Sequence, residues 1–176
     1  VKVESVTAVQ AREISNRADV RKVIWDRPFT PKALPRQNVV QPRGPRGIEP
    51  NLTAIHADQV WNEFAIGGQG IVVAGQDTGI QWQHPALIRQ YRGQTARGVV
   101  HNYNWHDAIR KPLRSTANPC GYATQEPCDD HGHGTHTMGT VLGDDGAENK
   151  IGVAPRAQWI GCRNMEIRII TRVMIN

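Results

Sequence analysis

The sequence predicts an α/β fold built on a parallel sheet, and two observations carry that prediction. Ile71–Ala74 is an apolar run without alternation, closed by Gly75, the pattern of a strand covered on both faces. Around it lie segments with helical spacing: Val60, Trp61 and Phe64 within His56–Phe64, and Met138, Val141 and Leu142 within Gly134–Leu142.

Taken in chain order, Ala8–Arg17 reads as a short amphipathic helix, followed by a strand through Val20, Val23, Ile24 and Trp25. Residues 1–26 thus form a small α/β piece. From Arg27 to Pro50 the character changes, because six of the eleven prolines fall there with basic residues between them. Proline lacks a backbone donor and restricts its neighbour, so residues 27–50 read as an exposed linker and a domain boundary. Residues 51–176 form the main unit. Its first helix, His56–Phe64, is stopped by Gly67, Gly68 and Gly70. The strand Ile71–Ala74 follows, with weaker strands expected at Val99–Tyr103 and Ala157–Gly161. Arg110–Asp130 is a polar loop holding Cys120 and Cys128, and Gly134–Leu142 is a helix ended by Gly143. There is no internal repeat.

Composition excludes several classes. Of 176 residues 39% are hydrophobic, and 17 glycines are added to them, enough for a packed core rather than wholesale disorder. No apolar run approaches the roughly 18 residues that a membrane span needs, so no membrane partner is expected. The net charge of +5 is local: residues 1–50 carry ten Lys/Arg against five Asp/Glu, and residues 51–176 carry eleven of each. Basic residues do not cluster with aromatic ones as a stacking platform requires, so no nucleic-acid partner is expected either. The chain opens on Val1 and its first methionine is Met138, so any signal sequence is expected upstream.

Two segments carry chemistry. The strand at Ile71–Ala74 runs into Asp77-Thr78-Gly79-Ile80, placing a carboxylate at the carboxyl end of a buried parallel strand, where open α/β sheets hold ligands and catalytic groups. A capping or turn aspartate before Gly79 is the alternative, and the same tripeptide serves another role in aspartic proteases. The second segment is HGHGTHTMGT, residues 131–140. Gly132 and Gly134 flank His133 and allow close backbone approach, and the helix dipole disfavours an imidazolium at its amino end. That helps keep the ring neutral, as a general base must be. The cluster of His131, His133 and His136 also admits a zinc site with Asp129, Asp130 or Cys128, but the spacing lacks HEXXH and a carboxylate at a matching offset.

Together the segments discriminate better than either alone. Asp77 in DTGI, HPAL seven residues later, and HGTHTMGT opening a helix 56 residues after the Asp closely resemble the subtilase family of serine endopeptidases. The WNEF helix, IGVAP at 151–155 and the strand in AQWIG fit the same pattern, and HNYNWHDAI, NPCG, PCDD and GCRNM resemble its secreted bacterial members. The resemblance covers about residues 50–165. It implies the amino-terminal half of a subtilisin-like doubly wound parallel sheet with helices on both faces, preceded by a partial α/β propeptide.

Carried across, Asp77 matches the triad aspartate and His133 the general base. His136 matches a structural position, and His131 falls outside the motif. Asp129 matches a position that commonly carries a carboxylate beside the substrate channel, with a solvated loop acid as the alternative. The resemblance implies extracellular localisation, a peptide or protein substrate, and the chain's own propeptide as a partner. In a secreted protein Cys120 and Cys128 are expected to form a disulfide, leaving Cys162 over, against the alternative of three free thiols. No cofactor is certain and no metal ligand is assigned in this chain, although calcium is possible in the full-length enzyme. Calcium belongs to many relatives, but their usual Asp after HP is Ala86 here, so that site is expected to be empty.

The sequence also departs from the family. Subtilases use the order Asp, His, Ser, and no GTSMA-like motif occurs in the 43 residues after His133. The only serines are Ser5, Ser15 and Ser115, and residues 166–176 match nothing in the family pattern. The expectation is an incomplete or frameshifted product carrying two triad members, inactive alone. Two other classes stay open: a non-catalytic degenerate subtilase or propeptide-like protease-binding module, and a metal-dependent hydrolase using the histidine cluster.

Overall fold

A computed structural model describes residues 6–24, 47–112, 118–166 and 169–170. Helix α1 (Ala8–Ser15) is held by a capping box: the Gln10 N–H donates to the Thr7 hydroxyl at 3.3 Å, and the Thr7 N–H to Gln10 Oε1 at 3.0 Å. The strand expected after it is absent from the described residues Val20–Ile24, whose Val23 and Ile24 are exposed. Without a neighbouring strand an extended segment has no ladder to hold it. Trp25, most of the proline-rich linker, Ser5 and Ser115 lie outside the described residues.

The expected linker gives way before Pro50. Glu49 N–H donates to Lys150 O at 3.1 Å, and Pro50 opens helix α2 (Pro50–Ala54), whose Leu52 is fully buried. A proline at the first helical position loses only a donor that would have no intrahelical partner. Helix α3 (Ala57–Phe64) follows.

Strand β1 (Val72–Asp77) leads through a 3₁₀ turn at Ile88–Gln90 into a small hairpin, β2 (Gln94–Thr95) and β3 (Gly98–Val99). Next come β4 (Trp105–Asp107), α4 (His133–Leu142) and β5 (Gln158–Arg163). An antiparallel pair, β6 (Met165–Glu166) and β7 (Ile169–Ile170), closes the described chain. The main sheet has the order β1-β5-β4 and is parallel throughout. Its register puts Asp77 beside Arg163 and Arg163 beside Asp107, one row of charged residues across the carboxyl ends of three strands.

The core lies between α4 and this sheet: Ile80, Leu87, Tyr91, Met138, Leu142, Ala157 and Trp159. Trp159 is fully buried, packs against Tyr91 in a tilted pair at a ring-centroid distance of 4.4 Å, and donates its indole N–H to Leu87 O at 2.8 Å. Gly75 lies under Met138, and a Cβ there would stand 2.5 Å from Met138 Cε, the flexible end of that side chain. Helix α4 covers only the β1 face of Val73 and Gly75. Val72, Ala74 and Gln76 are exposed among the described residues, so β1 alternates where coverage of both faces was expected.

Candidate active site

Asp77 ends β1 and His133 begins α4, and the fold brings them together across 56 residues of sequence. His133 Nδ1 lies 2.8 Å from Asp77 Oδ1 and 3.0 Å from Oδ2. An ionised carboxylate can only accept, so Nδ1 is the donor in these bonds and Nε2 is the ring nitrogen they leave unengaged. Asp77 is further held by the Thr78 N–H at 2.7 Å and the Thr137 hydroxyl at 3.2 Å. Its side chain is 14% exposed while that of His133 is 57% exposed. The carboxylate is thus enclosed and the imidazole accessible.

Close approach of strand and helix depends on two glycines. A Cβ on Gly134 would stand 2.0 Å from Gly79 O and 3.0 Å from Asp77 Cβ. Gly79, with φ of +119°, leaves no more room: its Cβ would fall 1.8 Å from Cys128 O.

The amino end of α4 is capped from outside the helix. Its N-cap, Gly132, is left-handed and has no side chain to offer. Asp129 accepts instead from the Gly132 and Thr135 N–H groups, both at 2.8 Å, from the His131 N–H at 3.1 Å, and from the Thr135 hydroxyl at 2.5 Å. The Thr78 hydroxyl donates to Asp129 Oδ1 at 2.8 Å while accepting the Gly134 N–H at 3.0 Å. Burial pushes the Asp129 carboxyl up, but the bonds from Thr135, Gly132 and His131 outweigh it and hold the group below its ordinary value. The polar partners Thr78, Thr135 and Thr137 were missed in the sequence. Only Thr137 carried a signal, sitting four residues after His133 and therefore on the same helix face.

A second network holds the loop that leads into the site. Arg163, fully buried on β5, donates through Nε and Nη2 to Asp107 at 3.1 and 2.8 Å, and also to Gly121 O. Asp107 accepts in addition the Ile109 and Thr124 N–H groups at 2.9 and 2.8 Å. Asp130 comes within 3.7 Å of Arg163 Nη1. Cys120 and Cys128 are joined in a disulfide with Cα atoms 5.8 Å apart. Cys162 is a free thiol whose pKa is pushed up to about 11 by burial and by the negative charge of Asp107.

The histidine cluster does not converge. His131 and His133 have ring centroids 6.4 Å apart, and His133 Nδ1 is engaged by Asp77. No three His, Cys, Asp or Glu side chains among the described residues are placed to share a metal ion. Ala86 is buried. No helix among the described residues is long and apolar enough to cross a membrane.

Known proteins resemble this chain in sequence. Bacillopeptidase F of Bacillus subtilis (strain 168) is 40% identical over 121 residues, which is 66% of this chain and 8% of that protein. The intracellular serine protease of Paenibacillus polymyxa is 32% identical over 116 residues, 66% of this chain and 28% of that protein. The minor extracellular protease Vpr of Bacillus subtilis (strain 168) is 33% identical over 110 residues, 62% of this chain and 12% of that protein. The chain therefore spans less than a third of the length of each of these relatives. Among solved structures, the MycP3 protease from the type VII (ESX-3) secretion system aligns with a TM-score of 0.48 and 26% identity, covering 82% of this chain and 30% of that one. The sequence model of the subtilase family matches residues 68–167, a stretch that holds the strand of Asp77, the helix of His133 and the sheet that joins them. The chain belongs to the subtilase family.

Proposed function

We propose that the chain is the amino-terminal part of a secreted subtilisin-like serine endopeptidase, in which His133 is the general base and Asp77 its orienting carboxylate. Hydrolysis runs through an acyl-enzyme. As a serine Oγ attacks the scissile carbonyl, its proton passes to His133 Nε2, and the same proton then goes to the leaving amine while Asp77 stays ionised. The nucleophile comes from a segment other than these residues, since none of the three serines, Ser5, Ser15 and Ser115, follows His133. The 176 residues alone are therefore inactive. Residues 1–50 act as the tail of a propeptide and its linker. Secretion is supported by the extracellular relative and by the disulfide between Cys120 and Cys128.

The observation that carries this reading is the bond from His133 Nδ1 to both Asp77 oxygens, at 2.8 and 3.0 Å, with the ring otherwise accessible. To test it, residues 51–165 are grafted in place of the matching segment of a complete subtilase. The chimera should cleave peptide esters, with His133→Ala costing roughly 10⁶-fold and Asp77→Asn roughly 10⁴-fold in kcat. The ungrafted 176-residue chain should resist a fluorophosphonate probe. Stoichiometric labelling of that chain, or a chimera indifferent to His133→Ala, would overturn the reading.

A further inference from the structure

The resemblance put Asp129 beside the substrate; its contacts give it different work. We propose that Asp129 is the positioning residue for His133, the group that fixes the start of α4 against the end of β1 and thereby sets the His133–Asp77 distance. The proposal rests on the reading of His133 as the general base.

Helix α4 supplies no cap of its own: Gly132 is left-handed and bears no side chain, and His133 is already the first helical residue. The base therefore sits where a helix frays most readily. Asp129 closes that end by accepting five hydrogen bonds, three from the backbone N–H groups of His131, Gly132 and Thr135 and two from the hydroxyls of Thr78 and Thr135. These donors fall on both sides of the catalytic pair. Thr78 directly follows Asp77 at the strand end, and Thr135 lies two residues past His133 in the helix. Thr78 ties the knot again from its side, because the hydroxyl that donates to Asp129 also accepts the Gly134 N–H at 3.0 Å. A single carboxylate thus bridges the two elements that carry the orienting acid and the base. Its negative charge lies at the positive end of the helix, so the electrostatics reinforce the geometry. With both oxygens engaged by the chain's own donors, Asp129 acts through His133 and not on the substrate.

Losing this clamp lets α4 slide by a fraction of a hydrogen-bond length or more relative to β1, and misplacement of about 1 Å typically costs about 100-fold in rate. In the chimera, Asp129→Ala should lower kcat about 100-fold with KM within about threefold, and Thr135→Val, which removes one of the five bonds, about 10-fold. Asp145→Ala serves as control: Asp145 caps an exposed turn through the Ala147 N–H at 2.8 Å, remote in sequence from the pair, and its loss should leave kcat intact. An Asp129→Ala kcat within threefold of the parent overturns the proposal, as does a raised KM with unchanged kcat, which would put Asp129 against the substrate.

If the unsubstituted chimera is inactive, the functional reading fails, and positioning is decided on the 176-residue chain by proton NMR. The hydrogen-bonded His133 Nδ1 proton should give a low-field signal, assigned by its loss in His133→Ala. It should vanish in Asp129→Ala and persist in Asp145→Ala. Persistence in Asp129→Ala overturns the proposal. Should Asp129→Ala fail to fold, judged by loss of the dispersed Trp159 indole signal, Thr135→Val decides: an unchanged low-field signal there overturns the proposal, and its broadening or loss supports it.

Discussion

Replacing Gly134 by alanine should cost more in activity than in stability. The new methyl would stand 2.0 Å from Gly79 O, where ordinary contact begins near 3.4 Å, so something must move by roughly 1 Å or more. Gly79 lies close to Cys128, since a Cβ on it would fall 1.8 Å from Cys128 O, which leaves it little room to shift. The amino end of α4 must retreat instead, which stretches the 2.8 Å bond from His133 to Asp77 beyond hydrogen-bond range and breaks the Gly134–Thr78 contact. Overpacking of this kind costs about 1–3 kcal/mol, and alanine returns up to about 1 kcal/mol of helix propensity, so net destabilisation should be about 0–2 kcal/mol. The rate penalty for misplacing the base should reach about 100-fold, near 2.7 kcal/mol of barrier. Gly139 provides the comparison within the same helix, since a Cβ there meets nothing within 4 Å. Gly139→Ala should raise stability by up to about 1 kcal/mol and leave the rate alone. Peptide-ester kinetics and thermal melting of both variants in the chimera check the contrast. A Gly134→Ala enzyme with kcat within threefold of the parent would refute the reasoning.

Three further outcomes are expected. Arg163→Met leaves Asp107 charged and buried without its partner, and should cost about 3–5 kcal/mol in a denaturant titration; a loss below about 1 kcal/mol would contradict the assigned role. Because folding lowers the Asp129 pKa, its stabilisation should be complete above the unfolded aspartate value near 3.9 and fade as pH falls through the lower folded value. The stability gap between wild type and Asp129→Ala should therefore narrow below about pH 4, and a gap independent of pH would argue against it. Cys162, pushed up to about 11 from a reference of 9.0, should hold about 100-fold less thiolate than a free cysteine near neutral pH. Alkylation without reductant should proceed correspondingly slowly and stop at one label, and three labels would exclude the disulfide.

How much of this was legible varies from element to element. The strand reaching Asp77 and the helix opening on His133 could be read because each couples a strong local pattern to a glycine-framed motif. Strand β5 was legible only as a weaker candidate at Ala157–Gly161, and its parallel pairing with β1 is seen only in the structure. Strand β4, by contrast, is the short polar run Trp105-His106-Asp107, and its place in the sheet comes from a long-range bond to Arg163. Arg163 itself hid in plain view, since a charged residue reads as solvent-facing until a buried partner 56 positions away is known. Asp129 was read as a carboxylate beside the substrate channel, yet its contacts run to Thr78 and Thr135, whose hydroxyls carry no periodicity to read. The expected strand after α1 failed for the opposite reason, because apolar residues alone cannot make a strand without a neighbour.

The link between Cys120 and Cys128 has a consequence for survival among proteases. The loop it closes is polar, lies beside the site, and contains peptide bonds that another protease molecule could reach. A nick at any bond between the two cysteines opens the backbone but releases nothing: Cys128, and with it Asp129 and the start of α4, stays covalently tied to Cys120. Arg163 holds Gly121 on one side of such a cut, and Asp107 holds Thr124 further along. A single cleavage in this loop would show as two fragments only after reduction, while His133 and Asp77 kept their places.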